Sequence, residues 1–308
     1  MWWWRNATVS RRLSLIVGQK AHRDRNNYFG IVTQQRNVLI VCSALARVPA
    51  AKSCPVALQP VHPPKMGRSV LVAIDFDHTI CDDNTDVVVQ NLLSDETVSA
   101  KDVQNLRKSD GWLAYMNRIF ELLHENSVDA SQIADVIAGI PAVVGMEQLL
   151  ACLRANGHEI VVISDSNSVF IDCWLRNKRL ERAVSRVFTN PARYDDDGRL
   201  RVDAYRTQHA CQISAVNLCK GQVLMDYIQD KRERGESYER IVYIGDGRND
   251  LCPILRLSEA DLACPRKGYP LLDRLNKLPT SVSTKAKIVP WQDGTELRRN
   301  LEQFIELR

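Results

Sequence analysis

The chain has 308 residues, a formal net charge of +4, and 45% hydrophobic and 25% charged residues. That excludes a collagen-like or wholly disordered chain and leaves room for one or two domains. Residues 1–68 hold eleven Lys/Arg against the single acid Asp24, so the remainder is net acidic and the basic balance is no sign of a nucleic-acid partner.

The leader is rich in Arg, contains Ser and is nearly free of acids, as in a mitochondrial transit peptide. The alternative is an extension outside the fold, with synthesis starting at Met66. The expected location is cytoplasmic, or mitochondrial if residues 1–65 are a genuine transit peptide. No apolar run approaches the ~20 residues that span a bilayer, so no stable membrane insertion is expected. Nine cysteines, an odd number at irregular spacing, read as reduced thiols. Residues 51–67 hold four of the twelve prolines and read as a linker.

The folded body then opens on "SVLVAIDFDHTICDDNTD", residues 69–86. Its apolar run Val70–Ile74 predicts a buried strand, and Asp75, Asp77, Asp82, Asp83 and Asp86 follow it. Residues 87–106, 112–123 and 131–138 read as helical, the second through Trp112, Tyr115, Met116, Ile119, Phe120 and Leu123 at helical spacing. Met146, Leu149, Leu150 and Leu153 mark a helix closed by Gly157. "HEIVVISDSN" contains a second buried strand over 160–163, and Val169, Phe170, Cys173 and Trp174 open the next helix. "ARYDDDGRLRV" carries the Asp-Gly signal of a hairpin. Val223, Leu224, Tyr227 and Ile228 mark a helix before a third buried strand, "RIVYIGDGRND". Short apolar strands alternating with helices predict an α/β fold, a mostly parallel sheet with helices on both faces and ligands at the carboxyl ends of the strands.

Those ends carry Asp75 and Asp77, Ser164, and Asp246 and Asp250, with Lys220 opening the helix before the third strand. Two carboxylates ~4 Å apart repel by about 4 kcal/mol at an effective dielectric of ~20. A divalent cation offsets that, and carboxylates around an octahedral ion suit Mg²⁺. A lysine and a serine hydroxyl suit phosphate oxygens.

"DFDHT", Ser164 in "VVIS", Lys220 and "GDGRND" stand in the order of the four motifs of the haloacid dehalogenase superfamily, which the chain resembles. "ISDSN", "FTNPARYDDDGRLRV", "NLCKG", "GDGRNDLCP" and "WQDGTEL" resemble its subfamily of pyridoxal phosphate phosphatase and phosphoethanolamine/phosphocholine phosphatase. The subfamily commonly has H-x-C-x-x-C before the lysine; here "HACQIS" keeps His209 and Cys211 but has Ser214. The resemblance implies a Rossmann-like core over 68–86 and 141–308, with a helical cap over 87–140 and residues 1–67 outside both. It implies a Mg²⁺-dependent phosphomonoester hydrolase acting through an aspartyl-phosphate, with a small phosphorylated metabolite as partner. Asp75 would be the nucleophile and Asp77 the general acid and base. The metal would be held by Asp75, the Asp77 carbonyl and Asp246, with waters on Asp250. Ser164, Lys220 and Asn249 would bind phosphate, and Asp86 and Asp165 would face the leaving group.

Two acids at the leaving group favour a cationic alcohol such as ethanolamine or choline, whereas the motif wording leans to pyridoxal 5′-phosphate, which is the preferred reading. A phosphotransferase, or a receiver-like signalling protein, shares the phospho-aspartate but ranks lower. Other residues have plainer readings: Asp82 and Asp83 as solvated loop, Thr79 as a brace, His78 as solvent-facing filler, and Trp112 and Phe120 as cap core. His209, Cys211 and Cys219 read as packed residues, with zinc ligation the alternative.

Overall fold

The computed structural model describes residues 70–109, 111–279 and 282–307. The leader and linker, with the transit-peptide reading placed on them, lie outside the described residues. Among the described residues eight strands occur: β1 Val70–Ile74, β2 Glu159–Asn167, β3 Arg186–Asn190, β4 Ala192–Tyr194, β5 Leu200–Val202, β6 Arg240–Gly245, β7 Leu262–Pro265 and β8 Lys287–Ile288. Six form one sheet in the order β3-β2-β1-β6-β7-β8, with every pairing parallel.

β1 lies inside the sheet and every residue of it is buried, which explains a continuous apolar run where an edge strand would alternate. Its side chains still divide by face. Val70, Val72 and Ile74 join one apolar cluster, and Leu71 and Ala73 join another on the opposite face. The strand order runs outward from β1 in both directions, so the crevice of a doubly wound sheet falls at the carboxyl end of β1.

Helices Thr85–Gln90, Asp95–Ser99, Lys101–Ser109, Trp112–Glu125 and Ala130–Gly139 lie between β1 and the helix Met146–Ala155. The apolar stretch over 87–106 is broken into three. Ser94 accepts the N–H of Thr97 and caps a new helix start. The inserted helices bury Val89, Tyr115, Met116, Ile119 and Phe120 in the same cluster as Val70, Val72 and Ile74. The predicted hairpin is the antiparallel pair β4–β5. Strands β3, β7 and β8 have no counterpart in the sequence reading. Among the described residues no helix is long and apolar enough to cross a membrane.

Candidate active site

Alternation along a strand would send Asp75 and Asp77 to the same face but two residues apart, unless the chain turned. It turns. Asp75 ends the ladder by donating its N–H to the Ile244 carbonyl, and the Phe76 carbonyl then accepts the N–H groups of Thr79, Ile80 and Cys81. Phe76 is fully buried, edge-on to Trp174, which anchors the turn. His78 has φ +54° at its apex.

Asp75 is buried, and Lys220 Nζ lies 2.6 Å from its Oδ2. The Phe76 N–H donates to its Oδ1 at 2.7 Å. Lys220, the first residue of the helix Lys220–Glu233, also reaches Asp250 Oδ1 at 2.9 Å. Asp250 is held on both oxygens, since Tyr243 OH donates to Oδ1 and the N–H groups of Asp246 and Gly247 donate to Oδ2. Gly245 is required here, as a Cβ would lie 2.5 Å from the Asp250 carboxylate. Asp246 accepts the Thr79 hydroxyl at 3.2 Å, so Thr79 ties the β1 turn to the β6 loop.

One carboxylate oxygen from each of Asp75, Asp246 and Asp250 lies within 4.8 Å of the others. Lys220 supplies one positive charge to these three acids. An oxygen-only, net-negative buried set of this kind fits a hard divalent cation such as Mg²⁺. Without the cation, burial and then the charges of Asp250 and Asp246 push Asp75 well above the ordinary carboxylate range. Asp246 is pushed up to about 7 by burial and by Asp250. Burial alone would lower the Lys220 ammonium, but Asp250, Asp75 and Asp165 outweigh it and hold the charge.

Asp77 stands apart from this cluster. Its two oxygens accept the N–H and hydroxyl of Thr85, both at 3.2 Å. Burial, then the Asp86 charge, raises it to about 7. Thr85 in turn contacts Ser166 Oγ at 2.7 Å. Ser164 and Asp165 lie where the β2–β3 register shifts, between Ile163 and Asn167, so both line the site although they are sequence neighbours. Asp165 accepts the Asn249 amide at 2.6 Å through Oδ2, while its Oδ1 is buried without a partner.

A cavity of about 150 Å³ is lined by Asp75, Asp77, Asp86, Trp112, Ser164 and Lys220, among others. The helix Trp112–Glu125 contributes Trp112, whose Nε1 donates to Asp86 Oδ2 at 2.7 Å. Burial pushes Asp86 up to about 6 against the pull of that bond. The structure thus gathers Asp75, Asp77, Asp86, Ser164, Asp165, Lys220, Asp246 and Asn249 around one cavity, with Asp250 bonded to Lys220 behind it. Two readings change. His78 lines the cavity and sits against Tyr269, and Trp112 faces the cavity as well as packing on the apolar cluster that holds Val70, Val72 and Ile74. Thr85, Tyr243 and Ser166 were not anticipated; only the fold brings them to the acids.

The chain matches the family described as Putative Phosphatase over residues 70–305. It is 37% identical to pyridoxal phosphate phosphatase PHOSPHO2 of Mus musculus over 77% of this chain and 99% of that protein. It is 34% identical to the phosphoethanolamine/phosphocholine phosphatase of Homo sapiens over 77% of this chain and 89% of that one. Among solved structures, an apo phosphoserine phosphatase is similar in fold at a TM-score of 0.50 and 18% identity, covering 78% of this chain and 100% of that one.

Proposed function

The chain belongs to the Putative Phosphatase family and is a phosphatase of the haloacid dehalogenase type, and from that premise we propose that it hydrolyses small phosphomonoesters through an aspartyl-phosphate on Asp75. The observation that carries the reading is the separation of two acids by environment. Asp75 is clamped by Lys220 and the Phe76 N–H. Asp77, two residues on, has only the neutral donors of Thr85, and burial with the Asp86 charge raises it to about 7 against their pull. A nucleophile and a general acid require that difference.

In the first step an Asp75 carboxylate oxygen attacks phosphorus, while Asp77 gives its proton to the leaving oxygen as the ester bond breaks. In the second, the Asp77 carboxylate takes a proton from the water that attacks the acyl phosphate. Asp75 is restored, inorganic phosphate leaves and Asp77 is protonated again. Lys220 and Ser164 supply an ammonium and a hydroxyl for phosphoryl oxygens, and Asn249 serves by orienting Asp165. Mg²⁺ held by Asp75, the Asp77 carbonyl and Asp246, with Asp250 behind, would neutralise charge on the phosphoryl group and the nucleophile. The cap over 87–140 limits water at the site through Trp112, which bonds Asp86 of the core.

Pyridoxal 5′-phosphate is the first substrate to try, since five relatives at 34–38% identity include four named for it. A second reading rests on the cavity itself. Asp86 and Asp165 beside Trp112 suit an ammonium-bearing alcohol such as ethanolamine or choline. Phosphate release from pyridoxal phosphate, phosphoethanolamine and phosphocholine, with Mg²⁺ and after exhaustive chelation, tests both. Turnover that survives chelation removes the metal from the scheme, and transfer to an acceptor without free phosphate makes the enzyme a phosphotransferase.

A further inference from the structure

Behind the lysine lies a second cluster that the phosphatase chemistry does not use. Cys211, Cys219 and Cys252 come from three segments. Cys211 is in the loop after β5, Cys219 caps the helix Lys220–Glu233, and Cys252 is in the helix Leu251–Ile254. Their sulfurs meet: Cys211 Sγ is 3.4 Å and Cys219 Sγ 3.6 Å from Cys252 Sγ. Ser214 Oγ lies 3.4 Å from Cys211 Sγ and 3.3 Å from Cys219 Sγ. Three sulfurs, all within 4.8 Å of one another, and one oxygen therefore form a compact group of four donors. A Zn–S bond of about 2.3 Å sets tetrahedral corners roughly 3.8 Å apart, so the cluster needs only a few tenths of an ångström of expansion. His209, paired with Cys211 and Cys219 on sequence grounds, is not in this group of ligands, and Cys252 takes its place.

The surroundings are built for sulfur that carries charge. The Gln222 N–H points to Cys219 Sγ at 3.4 Å. An outer donor of this kind orients a metal-bound thiolate. Gly221 makes room, since a Cβ there would lie 2.6 Å from Cys252 Sγ. The sulfur separations are far beyond the ~2.05 Å of a disulfide.

We propose that Cys211, Cys219 and Cys252, with Ser214 at the fourth corner, form a structural zinc site. Each thiol gives up its proton to solvent as the metal binds. The clip fastens the residue before Lys220 to the residue two beyond Asp250, and so holds from behind the 2.9 Å pair that these two residues make.

The experiment uses the purified full chain. Zinc content is measured after dialysis against excess Mg²⁺, which competes for the carboxylates but not for thiolates. Co²⁺ is then exchanged in, and thiolate-to-cobalt charge transfer is read by absorbance. About one zinc per chain and a thiolate-cobalt band are expected. Cys211→Ser should weaken zinc binding by roughly tenfold or more, and Ser214→Cys should tighten it, each checked for folding by circular dichroism. Asp246→Asn should keep the band, which separates this site from the carboxylate cluster. Folded wild-type protein with no zinc and no thiolate-cobalt band overturns the proposal. So does undiminished binding in folded Cys211→Ser, or a disulfide among these cysteines in protein purified under reducing conditions.

Discussion

At the scale of single residues, Asp75 and Asp77 have the same side chain but different partners. Lys220 faces Asp75 at 2.6 Å, whereas Thr85 supplies two neutral donors to Asp77. Substitution should separate their roles. Asp75→Asn removes the attacking oxygen, so turnover should vanish for every substrate and no phosphoenzyme should form. Asp77→Asn removes the proton donor and the later base, a loss of ~10²–10⁴ in rate. An activated ester such as p-nitrophenyl phosphate needs little help in its departure. With it, Asp77→Asn should recover the first step but not the second, giving a burst of nitrophenolate and an accumulated acid-stable, base-labile phosphoenzyme. Quenched-flow kinetics checks this. A burst in Asp75→Asn would refute the covalent scheme, and a steady rate without a burst in Asp77→Asn would take that residue out of the second step.

At the scale of elements, the helix Trp112–Glu125 and the helix Thr85–Gln90 meet at the Trp112–Asp86 bond, 2.7 Å long. If these two helices read the charge of the leaving alcohol, Asp86→Asn should cost phosphoethanolamine and phosphocholine ~1–3 kcal/mol in kcat/KM and pyridoxal phosphate less. Trp112→Phe removes the bond that opposes burial, so Asp86 should half-ionise above about 6. The preference for cationic esters should then fade at acid pH first. Equal losses on all three substrates would show that Asp86 shapes the site without choosing the ester. The elements also show where sequence was informative. β1, β2 and β6 were legible because interior parallel strands are unbroken apolar runs, and Asp75, Ser164 and Asp246 follow or end those runs. β3, β7 and β8 were not. "RVFTN" and "LACP" are short, and β8 has two residues, so only pairing with strands far along the chain defines them. Thr85 and Trp112 had no local signal, and Cys252 joins Cys211 across 41 positions.

At the scale of the whole molecule, the two directions of winding from β1 concentrate buried acids in one crevice, and this arrangement couples stability to pH. Asp77 and Asp246 are raised to about 7 and Asp86 to about 6, in each case chiefly by burial. A carboxyl whose folded value lies above its unfolded value binds protons better when folded. Its stabilising contribution is full below the unfolded value near 3.9 and is lost as pH rises through 6–7. His78 opposes this trend, because partial burial lowers its value in the fold; a half-buried ring that favours the neutral form gains stability with rising pH. Glu121 and Glu159 are lowered by their hydrogen bonds despite burial, and they lose stability only at more acid pH. Asp75 and Asp165 are raised by burial as well, and the raised acids outnumber the groups of opposite sign, His78 and the Cys211 thiol, which its hydrogen bonds lower to about 6 against burial. EDTA-treated protein should therefore melt lower at pH 8 than at pH 5.5. Mg²⁺ must displace protons at low pH, so its stabilising effect should be larger at pH 8. Asp246→Asn isolates one member of the set. Without metal it should melt above wild type at pH 8, by ~2–4 °C for each kcal/mol of repulsion relieved, and the difference should shrink towards pH 5.5. The same variant should gain much less from Mg²⁺. Differential scanning fluorimetry across this pH range decides the matter: a Mg²⁺ shift independent of pH, or an Asp246→Asn chain that melts lower than wild type in EDTA at pH 8, would mean that the crevice carboxylates are not held under mutual repulsion in the metal-free fold.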